Sequence, residues 1–328
     1  MNKSLDVVAI GELLIDFTPN YKSSQIKPVF EANPGGAPAN VLAGLSKLNK
    51  KTAFIGMVGK DHFGDYLINY ISGYGINVSG LKQTSKANTT LAFVHLDKEC
   101  NRSFSFYRKP GADIMLNKKD IDYSIIKKSK IFHFGSLSLT NEPSKAATIK
   151  AVQYAKKNGL IISYDPNYRP PLWNNIEDAR LNIIKGLKYT DILKISGEEL
   201  ELITSTNDLE KGSNLLFNQG ISIILITLGP DGAFYKYRGG SGKLNTYNVK
   251  VVDTTGAGDA FLAGFLYKII GKSLEELSMI NKKNFENIVD FANATGALVA
   301  SKKGAIPAMP SLKEIEECRK KIRKKKSP

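Results

Sequence analysis

The sequence predicts an α/β protein with a central, mainly parallel sheet, flanking helices and a small β-sheet lid. Apolar, β-rich runs alternate with segments of helical spacing along most of the 328 residues, a pattern typical of βα units. Two stretches in the first half interrupt this alternation with strands that no helix separates. Ligands bind at the carboxyl ends of strands in open α/β sheets, where an added β element can act as a lid.

Six strands and eight helices follow from the spacing of apolar residues. The predicted strands cover residues 7–17, 51–58, 130–135, 160–165, 191–195 and 221–228. The predicted helices cover residues 38–48, 63–74, 145–157, 176–187, 209–218, 256–270, 284–301 and 312–325. Because the two sets alternate, most strands are expected to be parallel neighbours joined through helices.

The two interruptions are residues 13–30 and 89–107. Within the second, polar and aromatic residues alternate at 103–108, which is the signature of a half-buried strand. We expect two insertions, residues 13–33 and 87–113, to form the lid. The main domain then consists of residues 1–12, 34–86 and 114–328.

The formal net charge is +15, from 46 Lys and Arg against 31 Asp and Glu. The lysines are spread over the whole chain, and only residues 319–326 form a dense basic block. This distribution favours a solvated surface with a basic end and no nucleic-acid partner, although binding of DNA or RNA by residues 319–328 stays open as an alternative. An anionic substrate such as a nucleotide would benefit from the positive field.

The chain contains no run of 18 apolar residues and does not begin like a signal peptide. The expectation is therefore a cytoplasmic protein without a membrane partner. Cys100 and Cys318 lie far apart and lack metal-ligand spacing, so free thiols are expected rather than a disulfide or a zinc site.

The strongest local signal is Asp253-Thr-Thr-Gly-Ala-Gly-Asp259, followed by apolar residues at helical spacing. Gly256 and Gly258 let the backbone approach a ligand, and free N–H groups at a helix start would stabilise a transferring phosphoryl group. Asp259 would lie in the first turn, where a carboxylate can accept a proton from an attacking hydroxyl. Taken alone, such a segment more often forms only a turn with a charge that favours the helix dipole.

Two other glycine patterns do not meet the requirements of known nucleotide motifs. Residues 239–244 resemble a phosphate loop but lack its first glycine and lie between β segments, so a hairpin turn is predicted there. Gly256 and Gly258 lack the third glycine of the dinucleotide fingerprint.

A second glycine cluster, Asn33-Pro-Gly-Gly-Ala-Pro-Ala-Asn40, opens a predicted helix. Gly35 and Gly36 expose backbone to a polar ligand, and Asn40 offers both a donor and an acceptor on the first turn. Asp16, at the end of the first predicted strand, can hold a pair of hydroxyl groups. As isolated features these residues also fit a turn, a cap and an acid at a strand end.

Taken together, these segments resemble the ribokinase-like (PfkB) carbohydrate kinases. The segments Gly35–Asn40 and Asp253–Asp259 resemble the two signatures of that family. Residues 226–233 are similar to its nucleotide-side strand and turn, and residues 293–305 to its closing helix and loop. The resemblance covers nearly the whole chain in the same order, and it implies a ribokinase-like fold and an ATP-dependent sugar kinase.

The resemblance implies specific roles. Asp259 matches the catalytic base, and Gly256, Ala257 and Gly258 match the anion hole. The sugar-binding positions are matched by Asp16, Gly35, Gly36 and Asn40. The ATP-binding positions are matched by Lys194, Glu199, Thr227, Gly229, Gly232, Asn293 and Ala297, together with Gly256 and Gly258.

Metal ions are implied by the same comparison. Asp253 and Thr255, with backbone near Val299, Lys302 and Gly304, match a potassium site that orders the anion-hole loop in many members. Glu199 matches a position associated indirectly with Mg²⁺. In this sequence Ser196 replaces the Asn of the family's Asn-x-x-Glu motif, which is also similar to fructokinase-type members.

Residues 104–113 and 165–173 resemble fructokinases, which makes the 6-hydroxyl of D-fructose the expected acceptor. Phe106, Arg108 and Arg169 are the additional substrate-binding candidates, because the two arginines can reach hydroxyl, carboxylate or phosphate oxygens. Alternative acceptors are 2-keto-3-deoxygluconate, ribose, tagatose phosphate or a nucleoside. Outside the kinase class, a non-catalytic sugar- or nucleotide-binding regulator would have the same fold. Unpaired edges of the lid strands also lead us to expect a homodimer through the lid.

Overall fold

A computed structural model describes residues 3–19, 29–96, 102–322 and 324. Its strands are β1 (Leu5–Ile10), β2 (Leu14–Pro19), β3 (Phe30–Gly35), β4 (Thr52–Gly59), β5 (Asn77–Thr84), β6 (Leu91–Leu96), β7 (Arg102–Tyr107), β8 (Ser129–Gly135), β9 (Ile161–Asp165), β10 (Ile192–Ser196), β11 (Ile223–Thr227), β12 (Ala233–Tyr237) and β13 (Gly240–Leu244). Its α-helices are α1 (Ala37–Lys47), α2 (His62–Gly73), α3 (Tyr123–Lys127), α4 (Ser144–Lys157), α5 (Ile176–Leu187), α6 (Gly197–Thr204), α7 (Leu209–Asn218), α8 (Ala257–Ile269), α9 (Leu274–Ser278), α10 (Lys282–Ala300) and α11 (Leu312–Lys321).

Nine strands form the large sheet in the order β13-β12-β11-β10-β9-β8-β1-β4-β5. The seven strands from β11 to β5 are parallel, and β12 and β13 form an antiparallel hairpin at one edge. From β1 the chain moves outward to β4 and β5, and later fills the other side with β8 to β11. The order therefore reverses between β1 and β8, and a ligand crevice is expected at the carboxyl ends of these strands.

Each face of the large sheet is covered by helices. Val7 and Ala9 of β1 point into one core, which contains residues of α1, α2, α8 and α10. Val8 and Ile10 point into the opposite core, against α4, α5, α6 and α7. Because successive side chains of a strand alternate between faces, a strand buried on both sides reads as one continuous apolar run.

Four strands form a separate small sheet in the order β3-β2-β6-β7. Phe93 of β6 stacks on Phe17 of β2 at 4.8 Å between ring centroids and contacts Tyr107 of β7 at 5.3 Å. These aromatic side chains pack together on one face of the small sheet, and Asp16 and Phe106 lie on its other face. The predicted α/β fold with a small extra sheet is confirmed, and the domain boundaries at 13–33 and 87–113 stay a prediction.

The predicted single strand at 7–17 is wrong. Residues 11–13 interrupt the strand and separate β1 from β2. At this point the chain passes from the large sheet to the small one. A Cβ on Gly11 would lie 2.6 Å from Pro38 Cγ, so this break places the chain directly against the start of α1. The apolar runs on both sides of Gly11-Glu12 are the reason that a single strand is predicted.

Two further predictions differ from the structure in position, and one strand was not predicted. The hairpin near 239–244 exists, but β13 occupies 240–244 and the turn lies at 238–239. Strand β5 is an edge strand with mostly exposed or half-buried residues, and its polar sequence gave no strand signal. Helix α11 ends at Lys321, four residues before the predicted end.

Some predictions fall partly on residues outside the described ranges. These are the strands predicted across 20–28 and 97–101, the thiol of Cys100, and the basic residues at 323 and 325–326. Cys318 is a buried free cysteine. No helix in the described parts of the chain is long and apolar enough to cross a membrane.

A substitution at Phe285 tests the packing between the edge hairpin β12–β13 and α10. Its ring is fully buried and stacks on Tyr237 with 3.9 Å between centroids. We expect Phe285→Ala to lower the free energy of unfolding by about 3–5 kcal/mol, because it leaves a cavity in a close-packed core. Urea denaturation measures this change. The control Met279→Ala, at a side chain 75% exposed, should change stability by less than about 0.5 kcal/mol, and equal effects would contradict the assignment.

Candidate active site

Helix α8 begins at a glycine turn. Gly256 has a φ of 75°, and a Cβ at this position would lie 2.5 Å from the Cβ of Ala305. Gly258 and Asp259 follow in the first helical turn, where N–H groups lack acceptors within the helix. The start of α8 therefore presents N–H groups and the positive end of the helix dipole to an anion.

Asp259 is held in place by a side chain from the other end of the sequence. Its Oδ2 accepts a 2.7 Å hydrogen bond from Nδ2 of Asn40 in the first turn of α1. Only 7% of Asp259 is exposed. Burial, with a smaller contribution from the charge of Asp165, raises its pKa to about 6, and Lys194 and the Asn40 hydrogen bond oppose that rise.

A polar cavity of about 440 Å³ opens beside Asp259. It lies at the carboxyl end of the large sheet, under the small sheet. Residues that line it come from the small sheet, both helix starts and the segments after β8, β9 and β10, and include Asp16, Gly36, Asn40, Phe106, Asn167, Tyr168, Arg169, Lys194, Ser196, Glu198, Glu199, Thr255, Gly256, Gly258 and Asp259.

Two acids occupy the wall of this cavity nearest the small sheet. Burial raises the pKa of Asp16 to about 7; the Arg169 charge lowers it, and Asp259 adds to the rise. A Cβ on Gly35 would lie 2.1 Å from Asp16 Oδ2, so only glycine permits this carboxylate position. Glu12 Oε1 accepts the Ala37 N–H at 2.9 Å, and burial raises the pKa of Glu12 to about 7.

A buried ion pair lies next to the glycine turn. Lys194 Nζ is 2.9 Å from Asp165 Oδ2, and a Cβ on Gly258 would lie 2.9 Å from the same Nζ. Burial alone would lower the pKa of Lys194, but the carboxylates of Asp165, Glu199 and Asp259 more than offset it. The ammonium group therefore stays charged beside the helix start.

A second cavity, of about 480 Å³, lies on the other side of the turn. Gly258 and Thr254 line both cavities. The second cavity is mainly apolar, and its lining includes Thr227, Gly229, Gly232, Tyr247, Val249, Val251, Phe261, Asn293 and Ala297. A polar cavity and an apolar cavity thus meet at the start of α8.

The turn before α8 is closed by one carboxylate. Asp253 Oδ1 accepts the Thr255 N–H at 2.8 Å, and Oδ2 accepts the Gly304 N–H at 3.0 Å. The carbonyl of Val299 accepts the Lys302 N–H at 3.0 Å on the adjoining loop. These groups supply only oxygen donors, which suit a hard cation.

Arg108 lies outside both cavities. Its guanidinium contacts Asp113 through Nε at 2.8 Å and donates to Thr140 Oγ1 and the Leu137 carbonyl, each at 2.9 Å. The side chain is almost fully buried, as is that of Asp113. The structure thus places this predicted substrate residue in the base of the small sheet, where it pairs with an acid five positions away.

Glu199 is committed to backbone groups. Its Oε2 accepts the Ser196 N–H and its Oε1 accepts the Tyr168 N–H, both at 2.7 Å. Ser196 completes a capping box at the start of α6. The carboxylate lines the polar cavity while it fixes the start of α6 and the segment after β9.

Sequence reasoning gave no role to Glu12, Asp165 or Tyr247. Asp165 is the last residue of β9, and Glu12 follows the end of β1 by two positions. The strand-end rule could have indicated both acids. Tyr247 gave no such signal, because it lies in an irregular segment whose contacts are set by tertiary packing.

The site defines a class of enzyme. A buried carboxylate at a helix start, between a polar cavity and an apolar one, is the arrangement of a phosphotransferase that brings a hydroxyl group to a nucleotide. Comparison with known proteins gives the particular family. A pfkB family carbohydrate kinase profile matches residues 4–312, and the chain belongs to this family of sugar kinases.

Curated relatives and solved structures agree with this family. The chain is 43% identical over 316 residues to "Probable fructokinase-6, chloroplastic" of Arabidopsis thaliana, covering 95% of this chain and 81% of the relative. It is 38% identical to Fructokinase-2 of Solanum lycopersicum, with 94% of each chain covered.

Two crystal structures have the same fold. Fructokinase from Xylella fastidiosa with bound ATP superposes with a TM-score of 0.89 at 33% identity, covering 96% of this chain and 98% of that one. Fructokinase from Vibrio cholerae O395 in a form bound to fructose, ADP and calcium gives 0.86 at 31% identity, covering 96% and 99%.

The raised pKa of Asp259 predicts a cost to stability. A carboxyl whose pKa is higher in the folded protein binds its proton more tightly there, so the ionised form destabilises the fold above about pH 6. We expect Asp259→Asn to raise the free energy of unfolding at pH 8 by on the order of 1–3 kcal/mol. The gain should vanish as the pH falls below the ordinary value of 3.8.

Thermal unfolding at a series of pH values measures this effect. Asp231→Asn, at an exposed aspartate, is the matched control and should leave the melting temperature at pH 8 nearly unchanged. A melting temperature for Asp259→Asn at or below that of the natural protein at pH 8 would contradict the assigned burial cost.

Proposed function

We propose that this protein is a fructokinase that transfers the γ-phosphoryl group of MgATP to the 6-hydroxyl of D-fructose. The observation that carries the proposal is the position of Asp259, buried at the first turn of α8 where the two cavities meet. The polar cavity suits a sugar with many hydroxyl groups. The apolar cavity suits an adenine ring. The relatives of this protein that are named fructokinase favour fructose as the acceptor.

Asp259 acts as the general base. The fructose hydroxyl oxygen attacks the γ-phosphorus, its proton passes to the Asp259 carboxylate, and the bond from phosphorus to the β-phosphate oxygen breaks to release ADP. Asn40 holds the carboxylate so that one oxygen faces the sugar. A pKa of about 6 leaves Asp259 ionised at neutral pH, yet basic enough to accept the proton.

The charge on the transferring phosphoryl group is met by the N–H groups of Gly256 and Gly258. The Ala257 N–H, the third predicted donor of the anion hole, donates to the Thr254 carbonyl at 3.2 Å. Lys194 adds a buried positive charge on the same side of the turn. Such preorganised donors in a site that excludes water stabilise the transition state, because they need no reorientation during the reaction.

The sugar is held from both layers. Asp16 and Phe106 reach it from the small sheet, and Gly36, Asn40 and Arg169 reach it from the main sheet. The small sheet therefore acts as a lid that excludes water when the sugar binds. The role of Arg108 is indirect: its contact with Asp113 fixes the end of β7 and so positions Phe106.

The nucleotide occupies the second cavity. Thr227, Gly229 and Gly232 lie beside its phosphates, and Asn293 and Ala297 close the adenine end. Mg²⁺ would be held by the ATP phosphates and water, with Glu199 in its outer shell, and would neutralise phosphate charge. K⁺ would be held by Asp253, Thr255 and the carbonyl groups near Val299, Lys302 and Gly304, and would order the glycine turn.

A neutral ketohexose is favoured over 2-keto-3-deoxygluconate. A sugar acid needs a cation for its carboxylate, and the Arg108 guanidinium is engaged by Asp113, Thr140 and Leu137. The guanidinium that does line the polar cavity is that of Arg169, whose charge already acts on the Asp16 carboxylate. We further propose that the enzyme works in the cytoplasm and forms a homodimer through the edges of the lid strands.

A coupled assay of ADP release across a panel of sugars tests the proposal. D-Fructose should have the highest kcat/KM among fructose, ribose, 2-keto-3-deoxygluconate and tagatose 6-phosphate. Asp259→Asn should lower kcat by about 10²–10⁴-fold, because the base is lost. Glu317→Gln, on the surface of α11, is the control and should keep full activity. Full activity in Asp259→Asn would defeat the mechanism, and poor fructose turnover would defeat the substrate.

A further inference from the structure

One wall of the apolar cavity is an irregular segment, residues 245–252, between β13 and the turn before α8. Thr246, Tyr247, Val249 and Val251 of this segment line the cavity. The segment has no regular sheet or helix to hold its shape. The position of this wall therefore depends on contacts with neighbouring elements.

One face of α10 holds the whole segment. Asn293 Nδ2 donates to the Leu244 carbonyl at 3.2 Å, and the Ala300 carbonyl accepts the Val252 N–H at 2.8 Å. Between these two ends, the Tyr247 hydroxyl donates to Asp290 Oδ1 at 2.9 Å. Residues 290, 293, 297 and 300 lie three or four positions apart, so they share one side of the helix.

Asp290 also receives the basic end of the chain. Arg319 Nε donates to Asp290 Oδ2 at 2.9 Å, and Lys324 Nζ lies 2.6 Å from Asp290 Oδ1. Tyr247 and Lys324 form an antiparallel β-bridge, and Lys324 Nζ lies 5.8 Å from the centre of the Tyr247 ring. The carboxylate thus joins the cavity wall to the C-terminal segment.

Apolar packing accompanies these polar contacts. Tyr247 and Ala297, which both line the cavity, share a small buried core with Phe291, Ile315 and Cys318. Ile315 and Cys318 belong to α11, which carries Arg319. Helix α11 and Lys324 therefore support the cavity wall from outside.

We propose that Asp290 is a positioning residue for nucleotide binding, and that α11 with Lys324 is a buttress that fixes Tyr247 and residues 245–252 against the nucleotide. This inference rests on the proposed nucleotide site. It assigns Arg319 and Lys324, part of the dense basic block, to an intramolecular contact. The buttress does not touch the sugar cavity, so its loss should weaken nucleotide binding selectively.

The test measures the Kd of MgADP by calorimetry in the absence of sugar. Asp290→Asn removes the charge, Tyr247→Phe removes only the hydroxyl, and Lys324→Ala removes the bridging ammonium. We expect Asp290→Asn to raise the Kd about three- to tenfold and the other two about two- to fivefold, which are the losses typical of partly exposed polar contacts. The Kd of fructose should change less than about twofold.

Lys321→Ala is the matched control. Lys321 is on the same helix, is 72% exposed and forms a local salt bridge with Glu317, so this variant should bind MgADP like the natural protein. If Asp290→Asn does not fold, as judged by urea denaturation, Tyr247→Phe and Lys324→Ala decide the question. Natural MgADP affinity in the variants that fold, or an equal loss of fructose affinity, overturns the proposal.

The readout separates this inference from the choice of acceptor. A selective loss of MgADP affinity supports the buttress even if fructose is not phosphorylated. Absence of MgADP binding to the natural protein would overturn both the nucleotide site and the buttress.

Discussion

The hydrogen bond from Asn40 to Asp259 is the interaction on which the site depends, because it joins two helix starts that are 219 positions apart in the sequence. Helices α1 and α8 approach closely enough that a Cβ on Gly44 would lie 2.8 Å from the Cβ of Ala263. This packing brings both glycine turns to the carboxyl end of the sheet, where the strand order reverses. The carboxylate is thereby oriented, desolvated and placed between the two cavities.

The charges around Asp259 explain how a buried carboxyl group can stay ionised at neutral pH and act as a base. Burial and the charge of Asp165 raise the pKa of Asp259. The charges of Lys194 and Arg169 and the hydrogen bond from Asn40 oppose that rise, so the pKa reaches only about 6. The fold accepts a local cost in stability at this position, as functional sites often do.

Sequence patterns predicted the parts of the site that local chemistry determines. A glycine turn before an apolar helix has the same signature wherever it occurs, so Gly256 could be found without coordinates. Asp16 is predicted at the end of a strand, but it lies inside β2 of the small sheet. The partner of Arg108 could not, because Asp113 and Arg108 meet only when the chain after β7 folds back on itself. The strand break at 11–13 and the role of Tyr247 likewise depend on tertiary packing that apolar periodicity does not encode.

The pH dependence of kcat/KM for fructose, with MgATP saturating at each pH, tests the central claim that the buried Asp259 carboxylate is the base. The account predicts a rate that is constant above neutral pH and falls about tenfold per pH unit below an apparent pKa of about 6, as Asp259 becomes protonated. A rate that stays constant down to pH 5 would contradict it.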